Sequence, residues 1–155
     1  MAAAGKWKLY ETGKLAIANA TVDLDNGAFE IALYLSTSNA ETLTAATIGQ
    51  FSDITNQVAT NFGYTQADGA AGGKVLTTST TNTAGTIKFD SDDPVWTAAG
   101  GSITARFAVI LCGTIPIAVC LLDTDPADVT ATTGNTFTIT MNVAGIFTIS
   151  GATSD

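Results

Sequence analysis

SITARFAVILC, residues 102–112, decides the fold class. Ile103, Ala105, Phe107, Val109 and Leu111 alternate along it, which is the period of a pleated strand. Towards its end the intervening positions, Ala108 and Ile110, are apolar too. A strand apolar on both faces lies centrally in a sheet or is covered on both sides. GTIP, residues 113–116, turns the chain into a second apolar run, IAVCLLD, over 117–123. If the two runs form a hairpin, Cys112 and Cys120 could face each other across it. Their simplest role is that of small buried hydrophobes with free thiols.

Strand signals continue on either side. Upstream lie KVLTTSTT from Lys74, a turn near Asn82–Gly85, GTIKFD, and the polar corner DSDDP, where Pro94 limits the next strand to an edge. Downstream, TFTITMNVAG puts Phe137, Ile139, Met141 and Val143 on one face, and GIFTIS follows. Nearer the amino end, Phe29, Ile31, Leu33 and Leu35 alternate with Glu30, Ala32, Tyr34 and Ser36, and Asn26-Gly27 before them is a strong hairpin-turn signal. Many short strands between turns, with few helix signals, predict an all-β chain, expected to be a β-sandwich of jelly-roll or other topology. Residues 1–19 read as an amino-terminal arm or short helix, with YETGKLAIANA supplying two or three turns, and residues 20–155 as one domain. Residues 39–73 are weakly patterned. ETLTAATIGQF offers a helical turn, and the remainder reads as a long loop ending in DGAAGG, a length typical of functional or partner-ordered segments.

The chain has 155 residues, 46% of them apolar and only 13% charged, against a usual ~25% charged. Low charge fits a protein whose surface is hidden in an assembly. The net charge of −8 argues against nucleic acid or an anionic membrane as partner, because both call for a basic face. No apolar run reaches the ~18–20 residues of a membrane span. MAAAGKWK at the start has no apolar stretch of the kind a secretory signal needs.

Motifs for chemistry fail on composition or spacing. The chain contains no His, so nucleophile–His–acid catalysis has no base. The same lack, with two cysteines only, rules out a zinc site, and no metal or other cofactor is expected. Asp90, Asp92 and Asp93, and likewise Asp123, Asp125 and Asp128, fall in Pro-containing segments where Asp is favoured because its side chain mimics a turn. DGAAGGKV lacks the first Gly and the Ser/Thr of a phosphate loop. The expectation is a non-enzyme.

One asymmetry points to a contact surface. Lys6, Lys8 and Lys14 stand in the first fourteen residues with Trp7 and Tyr10, on an otherwise acidic chain. Aromatic residues are common interface anchors. Lys6, Trp7, Lys8 and Tyr10 are therefore candidate partner contacts, joined by Phe62 and Tyr64 of the long loop. The alternative is that Trp7 simply joins the core.

Several stretches, in order, resemble a group of small structural proteins of tailed bacteriophages. They are KLAIANATVDLDNGAFEIALYLSTS, FSDITNQVATNFGYTQAD with GGKVLTT, IKFDSDDPVWTAAGGSITARFAVIL, and the closing TFTITMNVAGIFTIS. The resemblance implies a virion component assembled in the host cytoplasm. Within that class it favours a capsid decoration or cement protein that contacts the major capsid protein and self-associates as a dimer or trimer. The 123–135 loop and the two cysteines depart from the family pattern.

Overall fold

The computed structural model describes residues 5–42 and 49–151. The chain is mainly β, with 38% strand and 8% helix. In chain order the elements are β1 (Lys8–Leu9), α1 (Glu11–Ala18), β2 (Phe29–Tyr34), β3 (Lys74–Val75), β4 (Thr78–Thr83), β5 (Thr86–Ser91), β6 (Val95–Thr97), β7 (Ile103–Ala105), β8 (Phe107–Cys112), β9 (Ile115–Leu121), β10 (Val129–Ala131), β11 (Thr136–Thr138) and β12 (Phe147–Ser150).

The centre is a five-stranded antiparallel sheet in the order β1-β9-β8-β2-β3. Its three inner strands are the most apolar in the sequence, and β2 is buried at all six positions. Two apolar layers form because side chains alternate across the sheet. On one face Phe29, Ile31, Leu33, Ala108 and Ile110 pack with Phe89, Trp96, Ile103, Phe137 and Ile139. On the other, Ala32, Tyr34, Val109 and Leu111 pack with Tyr10, Ala40, Ile54 and Ala67. A bulge between Ile110 and Leu111 shifts the β8–β9 register.

The remaining strands form three small antiparallel sheets: β12-β5-β4, β11-β6 and β10-β7. Phe89 of β5 ties the first of these to the central sheet, with ring centroids 4.9 Å from Phe29 and 5.1 Å from Phe147. The strand expected over 136–143 is shorter. Only Thr136–Thr138 pair, Ile139 and Met141 still reach the core, and Val143 is 94% exposed in the turn before Gly145.

Three sequence expectations change. Asn26-Gly27 does not make a hairpin, because the element before it is the helix α1 and not a strand that pairs with β2. Instead Asp23 caps the turn: its Oδ1 accepts the amides of Asp25 (2.9 Å) and Asn26 (3.2 Å), and the Gly27 amide donates to the Asp23 carbonyl at 2.8 Å. Over residues 5–19 the short helix expected as one of two alternatives forms as α1, and the segment packs on the central sheet instead of standing off as an arm. β1 pairs with β9, and α1 presses on β9 so closely that a Cβ at Gly13 would stand 2.8 Å from the Ile117 carbonyl oxygen. Glycine is required at that crossing, and this outweighs its poor helix propensity. The long segment, finally, is packed by its own chain. Ile54 and Ala67 are buried on the second sheet face. The expected helical turn at 41–51 falls largely on residues 43–48, outside the described residues; a short 3-10 turn spans Phe51–Asp53.

Candidate contact surface

The six candidate contact residues separate by burial. Tyr10 and Tyr64 are each 1% exposed and belong to the core. Neither presents a surface to a partner, which corrects the expectation for both. Their hydroxyls explain why they are tyrosines, since a buried phenol needs a partner. Tyr10 donates to the Ala40 carbonyl at 2.7 Å, and the Tyr64 oxygen accepts the Leu33 amide at 2.9 Å. Burial pushes both phenol pKa values up. Trp7 is half-buried and packs against the first apolar layer, so it also serves the core. Lys6 and Lys8 are exposed, and Lys8 pairs with Glu41 at 2.5 Å.

Phe62 alone keeps an exposed aromatic ring, at 39%. It sits in a two-residue turn closed by reciprocal backbone bonds between Asn61 and Tyr64, at 3.0 and 2.9 Å. Phe62 has φ +53° and Gly63 φ +90°, the two positive values of a type I′ turn. Gly63 is compulsory, because a Cβ there would collide with the Thr97 carbonyl oxygen. Phe62 is the opposite case. A left-handed conformation costs a residue with a Cβ roughly 1–2 kcal/mol, and Asn or Gly would fill the site more easily. The Phe62 carbonyl accepts the Ala99 amide at 3.0 Å, which anchors the turn to the segment after β6. Sequence reasoning found Phe62 as an aromatic residue in a long loop but had no signal for its backbone strain.

Beside this turn lies a groove of about 320 Å³ lined by Gly63, Thr65, Gly73, Lys74 and β6. Lys74 is half-buried and has no ion pair among the described residues, whereas Lys8, Lys14, Lys88 and Arg106 each have one. Val95 is 39% exposed. Trp96 is 4% exposed, and its buried indole N–H has no partner among the described residues. The groove is reached by an open strand edge. The Ile139 amide donates to Pro94 and the Ala98 amide to Asn135, so positions 94, 96 and 98 face β11. By antiparallel alternation Val95 and Thr97 turn their N–H and C=O groups away from β11. Neither has a backbone hydrogen bond on that side among the described residues, although Gly63 lies against the Thr97 carbonyl and closes the edge there.

Glu30 was missed as a structural residue. It is the buried charged side chain of the core, and its carboxylate accepts the amides of Ala71 and of Gly73, the latter at 3.1 Å. It thereby fixes the DGAAGG segment beside Lys74. A signal was present in the sequence: a lone acid in an apolar strand, upstream of a glycine-rich loop rich in free amides.

Five of the six cluster carboxylates, those of Asp90, Asp92, Asp93, Asp123 and Asp128, are engaged by their own chain. Asp92 accepts the Thr77 amide at 2.8 Å and Asp93 the Met141 amide at 2.7 Å, while Asp90 pairs with Lys88 and Asp128 with Arg106. Among the described residues no three potential ligands gather for a metal ion. Cys112 and Cys120 are free thiols; burial raises the pKa of both, that of Cys120 to about 12. Among the described residues no helix is long and apolar enough to cross a membrane. Comparison with protein-family models, with curated proteins and with solved structures finds no match for this chain.

Proposed function

We propose that this protein is a non-catalytic structural component of a tailed-bacteriophage virion, decorating the capsid and cementing it through contacts with the major capsid protein. The placement on a virion is supported by the ordered stretches of sequence resemblance. The docking role is supported above all by Phe62, an exposed aromatic ring held in a strained turn beside an open strand edge. Strain of this kind persists only where the surrounding structure enforces it, and it concentrates at binding sites. The low charge content of the chain fits the same role, and the proposed role includes self-association as a dimer or trimer. The test is to heat or osmotically shock particles made with and without the protein. Greater fragility of the depleted particles is expected; particles that assemble and survive unchanged would reject the cement role.

A second virion position, as head fibre, tail tube or tail tip, rests on the same resemblance. Copy number separates them, since hundreds per particle mean the shell and a dozen or fewer mean a connector or tip. A carbohydrate-binding module would need aromatic platforms at the surface. Tyr34, Tyr64 and Trp96, the aromatic residues best placed for that by sequence, are all buried.

A further inference from the structure

We infer that the groove beside β6 binds an extended segment of a partner chain that carries a carboxylate side chain, with main-chain pairing to Val95 and to the Thr97 N–H and the carboxylate paired to Lys74. This deepens the docking role proposed above and rests on it.

Three observations select that occupant. First, the outer edge of β6 offers the N–H and C=O of Val95 and the N–H of Thr97, up to the point where the 61–64 turn covers the Thr97 carbonyl and takes the Ala99 amide, and a short added strand satisfies these groups without disturbing the β11 ladder. Second, the lining residues are uncharged apart from Lys74. Lys74 is a half-buried cation without an ion pair among the described residues, in a chain of net charge −8. An unpaired cation in an otherwise neutral groove favours a carboxylate and disfavours a basic segment. Third, Val95 and Phe62 leave apolar surface beside the groove, each 39% exposed, against which alternate side chains of an extended segment can pack. A second strand edge elsewhere is less suited. The edge strand β4, Thr78–Thr83, carries no charged residue, so it offers no cation for a carboxylate to pair with.

The probe is a random seven-residue peptide library displayed on yeast and selected on the immobilised full-length protein. Enriched peptides, made synthetically, are then titrated into isotope-labelled protein and followed by NMR. The expected result is enrichment of β-branched sequences containing Asp or Glu, which shift the amides of Val95 and Thr97 and the Trp96 indole resonance. Lys74→Arg should retain the binding. Lys74→Glu should weaken it at least tenfold and redirect selection to Lys- or Arg-bearing peptides. Thr97→Pro removes an outward N–H while leaving the β11 pairs in place, and it should weaken the same peptides. Because it does so by a separate route, it keeps the inference testable if Lys74→Glu does not fold. No enrichment, enrichment without acidic residues, binding indifferent to both variants, or shifts confined to another surface would each overturn the inference. Particle fragility reports on the cement role separately: groove binding with unaffected particles would reject that role alone.

Discussion

The Phe62 ring is seated on Gly101 so closely that a Cβ at Gly101 would collide with it. Together with the reciprocal Asn61–Tyr64 bonds, this contact keeps Phe62 in a backbone conformation that its own side chain disfavours. The stability gained from relaxing the backbone should therefore nearly offset the loss of the ring contact. For Phe62→Asn we expect a change in unfolding free energy within about 1 kcal/mol by chemical denaturation, together with weakened partner binding. A loss above about 3 kcal/mol would mean that Phe62 is a core residue, with no stability sacrificed for contact.

Glu30 should behave as a structural residue. Glu30→Gln keeps one acceptor but turns an NH2 group towards an amide that needs an acceptor. Buried bonds to a charged group contribute about 1.5–3 kcal/mol, and we expect a loss of that order in denaturant titrations. Faster hydrogen exchange at Ala71 and Gly73 should accompany it. Unchanged exchange there would show that the loop is held by other contacts.

The turn carboxylates set the acid limit of two loops. Backbone amides lower the pKa of Asp68 (Ala70 and Gly72) and of Asp23 (Asp25, with help from Asn26). A lowered folded pKa adds stability that is fully present above the unfolded value of ~3.9 and is lost as pH falls through the folded value. Amide resonances of Asp25, Ala70 and Gly72 should stay constant from pH 7 to 5 and move only below the usual carboxylate range. Movement near pH 5 would contradict the capping geometry.

Cys120 should be inert in the folded protein. With its pKa pushed up to about 12 by burial, the thiolate fraction at pH 8 is negligible. A thiol reagent should label Cys120 only after denaturant is added. Rapid labelling under native conditions would show that the edge formed by β1 opens.

The sheet was legible because its pattern was local. The alternation in 29–35 and the double-faced run at 107–111 depend on neighbours two residues away, and these segments form β2 and β8. What was not legible was decided by distant partners. Asn26-Gly27 carries the right residues for a hairpin, yet the Asp23 side chain claimed the amides first. Tyr10 and Tyr64 look like interface aromatics until Ala40 and Leu33 supply partners for their hydroxyls inside the core. The contact surface was half legible: Phe62 stood out as an aromatic residue in a loop. The groove beside it needs Lys74 and β6, brought together across the twenty residues from 75 to 94.

The central claim is most directly tested by electron cryo-microscopy of intact particles. The expected result is density for this domain in many copies on the outer capsid shell, with the Phe62 turn and the Lys74 groove against the major capsid protein. Particles in which the domain is absent from the shell, or is confined to the tail, would contradict it.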